Sequence, residues 1–359
     1  MAAGRIETRT RWPAGVLKSL AGVALALVFF ELTLALLWPQ ERETPLFDTT
    51  EALPLVLRKN LDGRHVSREF SVRYRTNSHR LRDPERPLGR PAGVRRILVL
   101  GDSLTFGSGV NDEDTFVRQL ERRLNASADG GHYEVINAAC ASWGTAHHLV
   151  FLEELGWKFE PDLVLMAFHD DDPKDNRLAD FVHLEEDGRF VLLRRSVGAA
   201  TKWTARIPLY AWLAQHSHLF SRLRLQLAQW VKNRRAAEPR RTDFLAPDKL
   251  PEAVWPEADW RLTERLLAAL ADRARAHGAK LALLHVPFPR YNRAVERRYV
   301  AMAEALSLPH LELIDLLDQH NTPADPTYFP VNRHFTPKGH RLIAEALAAF
   351  LARESLLPH

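Results

Sequence analysis

The 359-residue sequence contains one cysteine, Cys140, so an intramolecular disulfide is excluded. A single cysteine neither requires nor excludes an oxidising compartment. An excess of one charge is also lacking, because 49 Lys and Arg face 45 Asp and Glu, for a net charge of +4. The basic residues are scattered among acids without an RNA-binding or helix-turn-helix motif, so no nucleic-acid partner is predicted.

The sequence has one long apolar run, which lies near the N-terminus, and none after residue 38. Residues 1–18 form a basic tail, and residues 19–38 form an apolar segment interrupted by Glu31 and bracketed by Trp12 and Trp38. No small-residue cleavage site follows, so we predict an uncleaved signal-anchor that spans a membrane once. The basic tail then stays cytoplasmic, which puts the rest of the chain outside the cytoplasm, in the periplasm if the protein is bacterial.

Glu31 is the difficulty for this interpretation. A carboxylate in hydrocarbon costs on the order of 3 kcal/mol, so Glu31 is expected to be protonated, paired or close to the interface. The alternative is an amphipathic helix packed on the domain. Residues 39–60, rich in Pro, Glu and Thr, are predicted to be a linker that leaves the membrane.

The rest of the chain alternates apolar, strand-like runs with amphipathic helical segments, which predicts parallel βαβ units in a domain over residues 61–355. A half-exposed strand is expected at residues 68–75. The parallel strands are expected at residues 97–100, 133–137, 163–168, 281–286 and 311–316. The predicted fold is therefore a flavodoxin-like three-layer α/β sandwich with about five parallel strands.

Residues 177–256 interrupt this pattern as an insertion. A hairpin is predicted to turn at Asp187-Gly188. Apolar residues at helical spacing then run from Ile207 to Val231, and a basic tail ends at Arg235. The segment is interpreted as a lid over the site, as a face lying on anionic lipid, or as a helical insertion packed on the domain. We favour the packed insertion over the membrane contact. The hypothesis that the segment is a lid is left undecided.

The stretch ILVLGDSLTFG, from Ile97 to Gly107, combines an apolar strand with a serine in the turn that follows. A serine at the carboxyl end of a central strand lies where open α/β sheets bind their ligands. Gly107 and Gly109 are expected to loosen the loop behind Ser103. A serine hydroxyl is a poor nucleophile by itself and needs an adjacent base.

Two motifs, VLGDSLTFGSGV and the C-terminal YFPVNRHFTPKGHRLIAEAL, resemble the GDSL or SGNH hydrolase superfamily. The segment VRYRTNSHRLRD is similar to the lead-in of its membrane-anchored or periplasmic members. The resemblance implies that Ser103 is the nucleophile and that its N–H helps to bind the oxyanion. It also implies that His334 is the base and that His340 is structural.

The acidic residue expected two or three positions before His334 is missing, because Val331 and Asn332 stand there. Asn332 is the candidate that orients the imidazole, although an amide stabilises the imidazolium less than a carboxylate does. Asp325, reaching back by a loop turn, and a Ser–His dyad are the other possibilities.

The second and third blocks of the superfamily are degenerate here. In INAACASWGTAHHL, Ser142 stands at a glycine position where a backbone N–H binds the oxyanion, and Gly144 is a shifted alternative. In HDDDPKDN, Asp171 stands where the oxyanion-binding Asn is expected. A carboxylate repels an oxyanion unless it is protonated, and we expect burial beside Asp170 and Asp172 to raise a pKa enough to hold that proton.

The acidic run at residues 170–175 carries oxygens that would suit a hard cation. Pro173 and a spacing unlike an EF-hand favour a solvated loop instead. No metal and no cofactor are predicted.

Together these features predict an extracytoplasmic serine esterase or O-acyltransferase. Anchored members of the superfamily often act on acetylated cell-surface polysaccharide, so the expected partners are a small-molecule or polysaccharide ester and, through the N-terminal helix, the membrane. The departures at Asp171 and Asn332 motivate an alternative, a catalytically degenerate module that binds glycan or a partner protein.

Overall fold

The N-terminal part of the chain combines one long helix with short antiparallel strands. A computed structural model describes residues 14–126, 131–179, 181–185, 190–192, 208–235, 255–289 and 293–357. Helix α1 (Ala14–Leu37) contains a stretch, Gly15–Leu37, that is long and apolar enough to cross a membrane, with a mean hydropathy of 2.4. Most of its apolar side chains are exposed and do not pack on the domain. The strands that follow are β1 (Arg42–Glu43), β2 (Phe47–Asp48), β3 (Val56–Leu57), β4 (Asp62–Val66) and β5 (Ser71–Arg75).

The segment expected to be a linker is packed on the domain. Leu46, Leu53 and Leu57 are buried in the apolar core. Strand β1 pairs antiparallel with β4, and β4 pairs with β5. The Pro, Glu and Thr content predicted an extended linker. Burial of the apolar residues of the segment stabilises a packed conformation on the domain surface instead.

A five-stranded parallel sheet forms the centre of the domain. Its strands are β6 (Val94–Leu100), β7 (His132–Asn137), β8 (Leu163–His169), β11 (Lys280–Val286) and β12 (His310–Glu312). Their order is β12-β11-β8-β6-β7, and every pairing is parallel. Counted along these strands alone, this is the 2-1-3-4-5 order of flavodoxin-like folds. The predicted fold class is confirmed.

Helices cover both faces of the sheet, and each face has its own apolar core. Alternate residues of β6 enter the two cores, since Leu98 and Leu100 face one and Ile97 and Val99 the other. The helices after α1 are α2 (Ser103–Phe106), α3 (Phe116–Ala126), α4 (Thr145–Glu154), α5 (Asp172–Leu178), α6 (Pro208–His216), α7 (His218–Arg235), α8 (Glu257–Ala276), α9 (Arg293–Ala305), α10 (Ile314–Gln319) and α11 (Pro337–Arg353).

The last predicted strand is only half right. Strand β12 ends at Glu312, and helix α10 begins at Ile314. β12 is an edge strand paired with β11 alone. Leu313, Ile314 and Leu317 are buried at helical spacing, so packing continues this apolar run as a helix rather than as a strand.

The insertion contains the predicted hairpin strands, β9 (Val182–Leu184) and β10 (Phe190–Leu192), which pair antiparallel. Their predicted turn at Asp187-Gly188 lies outside the described residues. The helical pattern from Ile207 to Val231 is divided between α6 and α7, which meet at Ser217.

Candidate active site

Ser103 opens helix α2 at the carboxyl end of β6. Gly101 fits between strand and helix because a Cβ there would overlap the side chain of Thr105. The carboxylate of Asp102 caps α2 by accepting the N–H of Leu104 at 2.9 Å. Ser103 is half-buried. Its hydroxyl is thus presented at the ligand-binding edge of the sheet.

The loop after Ser103 is fixed by Arg82 rather than loosened by glycine. The buried guanidinium donates to the carbonyl oxygens of Phe106, Gly107 and Val110 at 2.9, 2.7 and 2.7 Å. Its Nε lies 2.6 Å from Asp112 Oδ1. Three donated hydrogen bonds hold the backbone behind the nucleophile in one conformation.

The two glycines of this loop supply geometry. Gly107 and Gly109 have φ of 87° and 92°, the left-handed region that glycine adopts at no steric cost. The N–H of Gly109 donates to the hydroxyl of Tyr74 at 2.8 Å. A Cβ at Gly109 would overlap the ring of Phe329. The expectation of a loosened loop is therefore wrong.

His334 lies just before helix α11 and reaches Ser103 across the sheet edge. Its Nε2 is 2.9 Å from Ser103 Oγ, and its Nδ1 is 2.7 Å from Asn332 Oδ1. When Nε2 accepts the serine proton, Nδ1 carries the hydrogen and Asn332 Oδ1 accepts it. Asp325 is turned away, with its carboxylate exposed and 2.9 Å from Lys338 Nζ. Among the residues considered from sequence, Asn332 is thus the one at Nδ1.

The electrostatics of His334 favour a neutral imidazole. Burial lowers the pKa of His334 below its ordinary value, and the negative charge of Asp102 opposes that shift. A neutral imidazole is the form that can accept a proton from a hydroxyl. Such a transfer would form an imidazolium, whose charge Asn332 cannot neutralise because it is uncharged. The nearby negative charge of Asp102 can stabilise it instead.

Glu69, which the sequence reasoning missed, holds the loop that carries His334. Its two carboxylate oxygens accept the N–H groups of Val331 and Asn332 at 2.9 and 2.6 Å. Glu69 lies in the turn between β4 and β5, and the neighbouring Phe70 packs on Phe329 with ring centroids 5.1 Å apart. No local pattern signals this contact, because its partners are more than 260 residues apart.

Ser142, the candidate oxyanion donor, has a left-handed backbone conformation. Its φ is 62°, and its side chain is exposed. The neighbouring Cys140 donates its N–H to the carbonyl of Gly101 at 3.1 Å, which joins this turn to the nucleophile's turn. The alternative donor, Gly144, already gives its N–H to His147 Nδ1 at 3.2 Å.

Asp171 is not the buried member of the acidic run. Its side chain is 41% exposed, and its carboxylate lies 3.5 Å from Lys174 Nζ. The fully buried carboxylate is instead Asp172, which accepts the hydroxyl of Thr145 at 3.2 Å. The side chain of Asp170 is 13% exposed and lies 2.9 Å from His285 Nε2. The expectation that Asp171 is buried between its neighbours is therefore wrong.

The raised carboxyl pKa values belong to two aspartates of helix α5, which begins just after Asp171. Burial, with the charges of Asp102 and Asp175, raises the pKa of Asp172 well above its usual value. Burial, with the charge of Asp171, raises the pKa of Asp175 to about 6. Among the described residues, no group of three or more His, Cys, Asp or Glu side chains is arranged to hold a metal ion.

His340 is a core residue. It is fully buried, and its Nδ1 accepts the N–H of Phe116 at 3.2 Å. Burial lowers its pKa to about 3, so the ring stays neutral. This agrees with the structural role that the resemblance implies.

The sheet is flavodoxin-like, and the serine after its first strand is hydrogen-bonded to a histidine that precedes helix α11. This agrees with the resemblance of the sequence to the GDSL or SGNH superfamily. No protein-family model matches the sequence, and no curated protein matches it either.

Similar solved structures include TesA, at 19% identity and TM-score 0.42, covering 73% of this chain and 100% of that one. The psychrotrophic esterase EstA from Pseudoalteromonas sp. has 15% identity and TM-score 0.41, covering 73% and 98%. The acetylxylan esterase Axe2 from Geobacillus stearothermophilus has 13% identity and TM-score 0.40, covering 72% and 94%. Since these TM-scores are below 0.5, the fold assignment depends on the strand order and side chains of this chain itself.

Proposed function

We propose that this protein is a membrane-anchored serine esterase or O-acyltransferase whose domain acts outside the cytoplasm. The observation that carries the proposal is the continuous hydrogen-bonded series from Ser103 Oγ through His334 to Asn332 Oδ1, with distances of 2.9 and 2.7 Å. A nucleophile, a base and a group that orients the base are the parts that acyl transfer requires.

The proposed reaction has two halves. Ser103 Oγ attacks the ester carbonyl, and its proton moves to His334 Nε2. The tetrahedral intermediate collapses, the same proton passes to the leaving alcohol, and an acyl-serine forms. Water or a sugar hydroxyl then attacks the acyl group, gives its proton to Nε2, and Ser103 Oγ recovers a proton as the product leaves.

The proposed oxyanion site uses the backbone N–H groups of Ser103 and Ser142. Asp171, at the position of the superfamily's third donor, offers a carboxylate instead of an amide. Loss of one such donor typically lowers turnover by about 10²–10³. A slow enzyme, or one with an acceptor that itself supplies a donor, is therefore expected.

Anchoring by α1 is the second part of the proposal. A 23-residue apolar stretch without packing partners over most of its surface suits a bilayer better than a domain core. Esters of acetylated polysaccharide are the substrate class we propose, because a domain held outside the cytoplasm would meet them at the cell surface.

The test is labelling of the full chain, in nanodiscs, with a fluorophosphonate serine probe. We expect labelling of the wild type and none of Ser103→Ala or His334→Ala, each verified as folded by circular dichroism. An acetyl ester donor offered with and without an oligosaccharide acceptor then separates hydrolysis from transfer. Absence of labelling in the folded wild type would contradict an activated serine.

The carboxylate of Asp171 favours a second candidate, a non-catalytic module that binds glycan or a partner protein. That function predicts no labelling by the probe but retention of an acetylated oligosaccharide, with equal affinity in the wild type and Ser103→Ala. Binding is measured by calorimetry on the same nanodisc samples.

A further inference from the structure

Exposed apolar side chains concentrate on two helices of the insertion, α6 and α7. Outside α1, the large apolar side chains that are exposed elsewhere among the described residues are isolated, such as Leu178 on α5. Scattered exposure of this kind needs no explanation, but a contiguous set indicates an interaction surface. The set on α6 and α7 is 45–61% exposed and consists of Leu209, Trp212, Leu223, Leu225, Leu227 and Trp230.

Three of the four large apolar residues exposed on α7 follow the helical repeat, and Leu225 lies on the opposite side of the helix. Leu223, Leu227 and Trp230 are spaced by four and three residues, which puts them on one stripe. Basic residues accompany them, with Arg222 and Arg224 in the first half of α7 and three more in its last turn. An exposed stripe of leucine and tryptophan on a helix rich in basic residues is typical of helices that lie in a membrane interface.

Glu31 of the anchor helix α1 caps the N-terminus of α7. Its carboxylate accepts the N–H groups of His218 and Leu219 at 2.6 and 3.0 Å and the hydroxyl of Ser217 at 2.7 Å. Ser217 Oγ in turn accepts the N–H of Phe220 at 3.0 Å. The free N–H groups of a helix start are thus paired with a carboxylate from another helix.

This contact accounts for a charged residue in the apolar helix. Glu31 lies six residues before the end of α1 at Leu37, which is about 9 Å along the axis. It is therefore near one end of the span, and its charge is paired. Two of the expectations for Glu31 therefore agree with the structure, a paired carboxylate and a position towards the end of the apolar segment.

Two further contacts hold α7 at the level where α1 ends. The guanidinium of Arg222 lies over the ring of Trp38, 4.6 Å from its centroid. The N–H of Gln40 donates to His218 Nδ1 at 2.9 Å. Tryptophan and arginine together at the end of an apolar helix are typical of the bilayer interface.

We infer that α6 and α7 form an interfacial platform, a pair of helices that lies in the outer headgroup region of the bilayer that α1 spans. The inference rests on the proposed anchoring by α1. The occupant of the platform's apolar face is the lipid bilayer, because α7 is held against the end of α1 and carries basic charge that suits anionic headgroups.

The platform is also connected to the candidate active site. Helix α6 packs against β1, and Glu41, just before β1, is hydrogen-bonded to His65 of β4. The turn after β4 carries Glu69, which holds the His334 loop. A single small sheet therefore links the membrane-facing helices to the base, so the site stays at the bilayer surface.

The test uses nitroxide spin labels on single introduced cysteines of the full chain, reconstituted in nanodiscs that contain phosphatidylglycerol. The native Cys140 is buried and its thiol pKa is raised by burial, so it does not compete for the label. Leu223→Cys and Leu227→Cys report on the platform, Leu25→Cys on the anchor helix, and Asp272→Cys on the exposed face of α8. Accessibility to dissolved oxygen and to a water-soluble nickel chelate is measured at each position.

We expect positions 223 and 227 to be about fivefold or more less accessible to nickel than position 272, and more accessible to oxygen, as position 25 is. If position 25 is in lipid but positions 223 and 227 match position 272, the platform is overturned while the anchor stands. If position 25 also matches position 272, both the platform and the proposed anchoring are overturned.

A second variant tests the link to α1. Glu31→Gln retains size and one acceptor oxygen, whereas Glu31→Ala removes both oxygens. We expect the spin label at position 223 to gain mobility in the order wild type, Glu31→Gln, Glu31→Ala. Equal mobility in all three would show that the carboxylate does not hold the platform on α1 and would overturn that contact.

Discussion

His334 Nδ1 lies 2.7 Å from Oδ1 of Asn332, so a neutral amide occupies the position at which hydrolase triads usually have a carboxylate. The amide can fix the tautomer and the orientation of the ring. It cannot neutralise the imidazolium, and in this site Asp102 is the carboxylate whose charge acts on His334. The proposed reaction therefore has its orienting group and its compensating charge on two different residues.

Asn332→Asp should raise the pKa of His334, because a carboxylate at Nδ1 stabilises the charged ring. Since burial holds that pKa below its ordinary value, the wild-type kcat/KM should fall with decreasing pH only below about 6.5. In the variant, that acidic limb should move to higher pH, with turnover at pH 8 raised about tenfold. Hydrolysis of p-nitrophenyl acetate across pH measures both. An unmoved limb would exclude His334 as the titrating base.

Glu69→Ala should lower kcat about tenfold with little change in KM, because the loop that carries Asn332 and His334 loses two hydrogen bonds. Glu69→Gln retains one acceptor and should recover part of that loss. Arg68→Ala, an exposed change in the same turn, is the control. Equal kcat in Glu69→Ala and Arg68→Ala would show that Glu69 does not position the base.

Asp171→Asn should increase turnover at least about tenfold, because an amide supplies an N–H where the superfamily binds the oxyanion. Lys174→Met, which removes the partner of Asp171 without adding a donor, is the control. Initial rates on an acetyl ester compare the three proteins. If Asp171→Asn and the wild type turn over equally, the side chain at position 171 takes no part in the oxyanion site.

Arg82→Met should destabilise the domain by about 3 kcal/mol, because three buried carbonyl oxygens and Asp112 lose their donor. Arg75→Met, an exposed change on β5, should stay within about 0.5 kcal/mol of the wild type. Urea unfolding followed by tryptophan fluorescence measures both. If Arg82→Met were as stable as Arg75→Met, the hydrogen bonds of Arg82 to the loop after Ser103 would not stabilise the domain.

Local pattern was enough to predict the strands of the parallel sheet, the helix at Thr336-Pro337 and the fold class. A buried strand is an apolar run, and a helix start needs a capping side chain, so both leave a mark within a few residues. The same kind of pattern was misleading where packing decided the outcome. Examples are the apolar run after Glu312, which continues as a helix, and residues 39–60, which are packed instead of being a free linker.

The sequence by itself determined the residue types at the site, with Ser103 after a strand and His334 before a helix. Only the tertiary structure decided which groups contact these two residues and their loops. Asn332 is hydrogen-bonded to His334 Nδ1, Glu69 accepts N–H groups of the loop that carries His334, and Asp171 is half-exposed. It likewise paired Glu31 with Ser217, which are 186 residues apart. The physical reason is that hydrogen bonds and burial depend on distance in space, and residues far apart in the chain leave no periodic signal of the contacts they will make.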